Sequence, residues 1–490
     1  MANQAEKTLI ASNLAETLQN IKDRLGNPAD LRIIHPMPGS SGLTAAVYFN
    51  GLVNEGILFG QMHDLAKMPP DSAHFSPATS PSLEAVLADM SKGYALFLIW
   101  EQGQCLMLAM EIPGWQLRPI AEPKGETLIR GPREGFTETI SVNTAMIRRW
   151  ISDPGLRIEE IKVGTRTKTS VELIYLSGVA NPALVRNVRE RIGAIKVDGI
   201  LDSGYIEQLI TDNNMTLFPL IQSTERPDKA VAGILEGRVA VLVDKSPFAL
   251  IVPVTINEFY QSPEDYYFGF YLGSFLRLLR LLGNNIAVAF PGLYIALASF
   301  NPELLPTNFA YTISESRRGI PYPIFVEVLI LEIIVEIFRE AGLRLPRTIN
   351  ITLGVVTGVA VAFAAVHDHL VSGTSLVVVS ITAIAAFSTP DFSISIPWRI
   401  LKFIMIISAS AFGIVGLTIS GVFILGHAAT LESFGTSFLA PWGPMQPAEL
   451  RDTVFRIPLW LRIKRPRTYH PINRKRMEMS GGEKEEEDAE

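Results

Sequence analysis

Charged residues run through the first part of the chain and then disappear in blocks. From Met1 to Arg280 an Asp, Glu, Lys or Arg recurs every few residues, whereas the windows 281–302, 348–366, 370–390 and 403–426 contain none. Each is close to the ~20 residues that carry a helix across the hydrocarbon core of a bilayer. All four read as membrane spans, and windows 348–366 and 403–426 show no polar face beyond small Ser, Thr and Asn side chains, unlike amphipathic core helices. The first window reads as a span trimmed at its start by Asn284 and Asn285 and kinked at Pro291. A fifth apolar run, 320–338, opens with Pro321 and Pro323 and carries Glu327, Glu332 and Glu336. At 100° per residue Glu332 and Glu336 share a face and Glu327 lies on the opposite side. Ionisable groups inside a membrane face a partner or a water-filled cavity, so this run is either a re-entrant or pore-facing helix or an interfacial helix with a solvated acidic stripe.

The first half of the chain alternates in a different way. Leu43 to Val53 is rich in β-branched and aromatic residues, and two strand patterns flank Glu101-Gln-Gly-Gln104, a hairpin turn. A helix is predicted at 82–90, after a Pro- and Ser-rich loop over 68–82. Beyond Gly131-Pro-Arg-Glu-Gly-Phe136, helices are predicted at 137–151, 182–192 and 203–210, with strands at 158–164, 170–176, 239–244 and 249–254. The expected fold is a cytoplasmic region of two small α+β or α/β subdomains followed by an α-helical membrane domain of four to five spans, plus the acidic helix. The boundaries are an N-terminal helical arm 1–39, subdomains 40–135 and 136–265, a membrane domain 266–430, and a basic tail 431–490 with an acidic end expected to be disordered. The aromatic stretch 264–282 suits an interfacial helix feeding the first span. Arg277 and Arg280 before that span, and Arg462, Lys464, Arg465, Arg467, Arg474, Lys475 and Arg476 after the last, place both ends in the cytoplasm. That requires an even number of crossings, although Arg317, Arg318, Arg339, Arg344 and Arg347 then lie outside. A five-span arrangement brings some of them in and exports the tail.

Composition narrows the chemistry. Of 490 residues 48% are hydrophobic and 19% charged, low in charge for a purely soluble protein, and the net charge of −6 argues against a nucleic-acid partner. The single cysteine, Cys105, excludes an internal disulfide or a multi-cysteine metal site. Gly131 to Gly135 lacks the endings of a phosphate loop and reads as a joining turn. His367-Asp-His369 cannot share a helix face at i and i+2 and reads as a polar turn rather than a metal site. No nucleophile, metalloprotease or kinase motif occurs, so no catalytic residue, metal or cofactor is expected. Gly354-x-x-x-Gly358 and Ala409-x-x-x-Gly413, with Gly416, form small-residue faces for close helix packing, either within one bundle or between copies.

Several stretches together resemble the A subunit of GerA-type spore germinant receptors. They are Glu126-Thr-Leu-Ile-Arg-Gly-Pro-Arg-Glu-Gly-Phe136 with Asn143 and Arg148-Arg149, Thr224-Glu-Arg-Pro-Asp228, Leu235-Glu-Gly-Arg238, Asp244-Lys-Ser-Pro247, Pro291-Gly-Leu-Tyr-Ile-Ala-Leu297, Pro321-Tyr-Pro-Ile-Phe-Val-Glu327, Glu336-Ile-Phe-Arg-Glu-Ala-Gly342 and Arg465-Pro466. The likeness runs from about residue 40 to 475. The chain departs from the family at Arg347-Thr-Ile-Asn-Ile-Thr352, where a Gly-rich run is usual, and at His367-Asp-His369. The resemblance implies a receptor subunit of the spore inner membrane that works with a transporter-like B subunit and a lipoprotein C subunit. It further implies oligomerisation into a nutrient-gated cation channel, for which Glu327, Glu332 and Glu336 are the expected pore residues. A membrane-anchored scaffold that recruits partners through its cytoplasmic subdomains is the alternative.

Overall fold

The computed structural model describes residues 14–35, 43–67, 83–101, 104–112, 114, 123, 125, 126, 128–344 and 358–477. The loop expected at 68–82, Gly354, the 347–352 departure and the acidic tail lie outside these residues.

The first unit contains α1 (Leu14–Leu25), β1 (Leu31–Ile34), β2 (Leu43–Phe49), α2 (Glu55–Lys67), α3 (Leu83–Met90), β3 (Tyr94–Glu101) and β4 (Gln104–Glu111). The strands pair antiparallel in the order β1-β2-β3-β4. Period-two alternation explains how the sheet is covered on both sides. Val47, Phe49, Leu96 and Leu98 pack on α1 and α3, whereas Ala46, Tyr48, Ala95 and Phe97 pack on α2. Helix α2 escaped the sequence reading because Gly56 and Gly60 weaken its helical signal.

The second unit is α4 (Ile140–Trp150), β5 (Leu156–Val163), β6 (Thr169–Leu176), α5 (Pro182–Gly193), α6 (Ser203–Ile210), β7 (Gln222–Thr224), α7 (Pro227–Leu235), β8 (Val239–Val243) and β9 (Ala249–Val252). Its antiparallel sheet has the order β5-β6-β8-β9-β7, with α5 and α6 on one face and α4 and α7 on the other. The sequence reading found most of these elements and missed β7 and α7. The latter begins with Pro227 in its first turn, where a missing N–H costs nothing.

The two units meet at a buried charge cluster. Arg148 of α4 donates to both oxygens of Asp30 at 2.6 and 3.0 Å, and its guanidinium lies 3.8 Å from the centre of the Phe49 ring. Glu172 of β6 is also buried there and accepts from the Thr144 hydroxyl. Burial, followed by the charges of Asp30 and Glu160, pushes the Glu172 carboxyl up to about 7, against the pull of Thr144 and Arg148.

A helical region follows: α8 (Glu264–Tyr267), α9 (Phe270–Ser299), α10 (Thr307–Ser316), α11 (Ile324–Arg344), α12 (Gly358–His367), α13 (Gly373–Ala386) and α14 (Phe392–Thr430). The chain closes with a β10–β11 hairpin (Glu432–Ser433, Thr436–Ser437) and α15 (Pro447–Val454). Among the described residues two helices, α9 and α14, are long and apolar enough to cross a membrane. Helix α9 runs unbroken through Asn284, Asn285 and Pro291, so these residues do not delimit it.

Helix α14 is not one rod. Gly413 has φ 61° and ψ −138°, far from helical values. Eight residues of straight helix span ~12 Å, yet a Cβ on Gly416 would strike the Ser408 carbonyl, and Met405 and Leu417 both lie against Gly292. The element is therefore two antiparallel arms, 392–412 and 414–430, and window 403–426 straddles their reversal. Their free ends meet beside the second unit, where Ile394, Leu401, Ile424 and Ala428 pack with Phe218, Val254 and Phe259. The end of α9 lies at the opposite, far end, with Phe300 against Gly413. Helix α13 runs antiparallel to α9. Tyr294 shares hydrogen bonds with Thr374 and Ser375 at 3.1 and 3.3 Å, and Gly283 abuts Ser388.

A raised folded pKa means that the Glu172 proton is held more tightly in the fold. Its contribution is complete below about pH 4.5 and is lost as the pH rises towards about 7. Glu172→Gln should therefore protect α4 and β6 from hydrogen exchange in the full chain by an increment that grows from about pH 5 to about pH 8, reaching about 3 kcal/mol. Equal protection of variant and parent at the upper pH would exclude Glu172 as the titrating group.

Candidate functional site

Helix α11 packs against α9, α13 and α14 rather than lying on a surface. Glu327, Glu332 and Glu336 turn inward, and the first two are 0% exposed. The solvated acidic stripe of an interfacial helix is therefore not what forms. Glu327 sits at the far end. One of its oxygens accepts from Arg317 Nε at 2.9 Å, and the other accepts from Ser372 N and Ser375 Oγ at 3.0 and 3.1 Å. Ser372 is the N-cap of α13, so this carboxylate also faces the positive end of a helix dipole. Glu332 accepts from Lys402 Nζ of α14 and from Thr382 Oγ1 of α13, the latter at 3.2 Å. Glu336 accepts from Arg399, with Nε at 2.8 Å, and Lys402 lies 3.7 Å from its second oxygen.

The three carboxylates thus form a ladder between α11 and its neighbours, and Arg317, Lys402 and Arg399 balance their charge. Glu327 points away from Glu332, as the helical angle requires, yet both are buried because α11 has packed neighbours on more than one side. The cationic half escaped the sequence reading. A signal for it was present: Arg399 and Lys402, three apart, share one face of α14 just as Glu332 and Glu336, four apart, share one face of α11. Acidic groups in an apolar helix require such a complement elsewhere.

Of the small-residue positions, Gly413 and Gly416 lie at the reversal within α14, and Gly358 has open space at its α-carbon. His367 ends α12, and His369 falls in the exposed turn that follows it. Among the described residues no group of three or more His, Cys, Asp or Glu is placed to hold a metal ion.

A second polar zone joins the helices to the second unit. Asp391 caps the first arm of α14 by accepting from Ser393 N at 3.0 Å, and it also receives Lys229 Nζ of α7 at 3.1 Å. Burial alone would lower the Lys229 ammonium, but the carboxylates of Glu126 and Asp391 push it well above its ordinary value. Asp265 is fully buried and holds Arg277 Nε at 3.0 Å and Arg280 Nη1 at 2.7 Å. Arg462 reaches Glu236 at 2.7 Å and Asp452 at 3.2 Å, while Arg465 donates to the Leu235 carbonyl at 2.6 Å. The basic tail is in this respect folded onto the second unit. Tyr266 and Tyr267 likewise turn inward to Asp452 and Asp228.

Lys402→Met would leave Glu332 buried without its cation, and should cost the detergent-solubilised protein on the order of 3–5 kcal/mol, seen as a lowered Tm. The double variant with Glu332→Gln removes both charges and should recover most of that loss. A double variant as unstable as the single one would refute the pairing.

Comparison with known proteins places this architecture. Residues 19–468 match the Bacillus/Clostridium GerA spore germination protein family. Spore germination protein KA of Bacillus subtilis (strain 168) is 35% identical over 475 residues, covering 94% of this chain and 87% of that protein. Spore germination protein B1 of the same organism is 36% identical over 479 residues, covering 94% and 98%. A crystal structure of the N-terminal domain of the A subunit of the Bacillus megaterium spore germinant receptor GerK3 is 31% identical, covers 49% of this chain and 95% of its own, and superposes with a TM-score of 0.36. The chain belongs to the GerA spore germination protein family.

Proposed function

We propose that this chain is the A subunit of a nutrient germinant receptor in the spore inner membrane. It acts with a transporter-like B subunit and a lipoprotein C subunit, and several copies assemble into a nutrient-gated cation channel. The observation that carries this reading is the ion-paired ladder of Glu327, Glu332 and Glu336, set among apolar helices of a protein whose relatives are spore germination proteins. With each carboxylate matched by Arg317, Lys402 or Arg399, the arrangement corresponds to a closed state that presents no acidic ring to ions.

Opening would slide α11 against the first arm of α14, freeing Glu332 and Glu336 to line a conduit as acidic selectivity rings do. Nutrient binding in a partner would shift the population towards that state. The Lys229–Asp391 pair supplies the mechanical link. It ties the second unit to the start of the arm that carries Arg399 and Lys402. In this reading both α/β units face the cytoplasm and α11 crosses the bilayer alongside α13 rather than lying on it. The second reading, a membrane-anchored scaffold, draws its support from the same pairing, because fully matched charges also serve as a static lock.

The test is potassium conductance across bilayers holding the chain with its B and C partners, with and without a panel of amino acids and sugars. A cation-selective current that appears with nutrient and falls severalfold in the Glu332→Gln, Glu336→Gln variant is expected. An unchanged current in an assembled variant would remove α11 from the path. Silence from a folded, assembled complex would leave the scaffold.

A further inference from the structure

Between α6 and β7 the second unit extends the loop 211–217, Thr-Asp-Asn-Asn-Met-Thr-Leu. Its tip is braced by its own side chains. Asn213 Oδ1 accepts from Met215 N at 2.9 Å, and Thr216 Oγ1 accepts from Phe218 N at 3.2 Å. The brace holds two apolar side chains outward, with Met215 at 92% exposure and Leu217 also exposed. A methionine so fully exposed on a braced turn packs on none of the described residues.

The position of the tip identifies what it meets. Thr216 Oγ1 lies 3.0 Å from His427 Nε2, near the end of the second arm of α14. His427 is fourteen residues beyond the reversal at Gly413, or ~21 Å along the helix, less than the ~30 Å thickness of a hydrocarbon core. One turn before His427 on the same face is Phe423, 75% exposed, followed along that arm by exposed Val422 and Ile419. Met215 and Leu217 thus stand beside the end of an arm whose exposed side chains at Phe423, Val422 and Ile419 are apolar. Residues 211–217 contain no Lys or Arg, so attraction to anionic headgroups does not account for the placement.

We propose that the 211–217 loop is an interfacial membrane anchor, with Met215 and Leu217 seated among the headgroup-proximal acyl chains of the leaflet nearest the α/β units. The proposal rests on the reading of α14 as embedded in a bilayer. The partner is phospholipid, bound by apolar contact. The anchor fixes the height of the second unit at the membrane surface on the side opposite its sheet core.

The test places a fluorescent nitrobenzoxadiazole label on Met215→Cys of the full chain, in a Cys105→Ser background, reconstituted in phosphatidylcholine nanodiscs. A lipid carrying a nitroxide on its headgroup should quench the label severalfold more than aqueous iodide does. Quenching by iodide with none from the lipid would put the tip in water and overturn the proposal. Protection from both would put a protein surface over it, a second copy or a partner subunit, and overturn it equally. A label at Ile407→Cys, exposed on the first arm of α14, separates the two readings. Quenching of that label by a deep acyl-chain nitroxide, without quenching at Met215, refutes the anchor alone. Its absence at both sites refutes the membrane placement of α14 and the anchor with it.

Discussion

Burying a carboxylate among apolar helices is so costly that it dictates what surrounds it. Glu332 is wholly enclosed, and the position of Lys402 on α14 follows from that enclosure. Glu336 draws Arg399 into the same seam, and Glu327 is met by Arg317 and by the N-terminus of α13. These contacts fix the relative height and rotation of α11, α13 and α14 far more tightly than interchangeable apolar packing would. Helix packing without charge tolerates sliding, whereas a buried ion pair has one register at which it is satisfied.

The reversal at Gly413 gives that register its consequence. Glycine can adopt the positive φ needed there without a Cβ penalty, and the glycines at 292 and 416 admit close backbone approach from the neighbouring arm. Because the arms return to the α/β side, the cations at 399 and 402 stand only a few turns above the Asp391–Lys229 contact. The second unit is thereby connected to the ladder through a single helix arm. The C-terminal segment reinforces the junction through Arg462 and Arg465, which clamp α7 from below.

The first unit is joined to the second by another buried charge, but of a different kind. Arg148 pairs with Asp30, whereas Glu172 is buried beside them with the Thr144 hydroxyl as its donor, so burial leaves it to gain a proton near neutrality. In the helical ladder each carboxylate has a cationic partner, and at this junction Glu172 has none. The first is built to hold, and the second responds to pH.

The chain's own residue order determined a good deal. Charge-free windows announced a helical, apolar region, and alternating strands such as Val239–Val243 announced a buried sheet, because local periodicity reports which faces meet water. The acidic residues of α11 were equally legible as anomalies. What sits opposite them was not, since Arg399 and Lys402 are more than sixty residues away and no local pattern records which helices become neighbours. The same limit hid the fold in window 403–426. A glycine in an apolar run reads as helix-packing surface, and only the approach of Gly416 to Ser408 makes it a corner. Local physics thus set the elements and flagged the costly charges. Tertiary structure alone decided the partners, because a buried charge is satisfied through space and not along the chain.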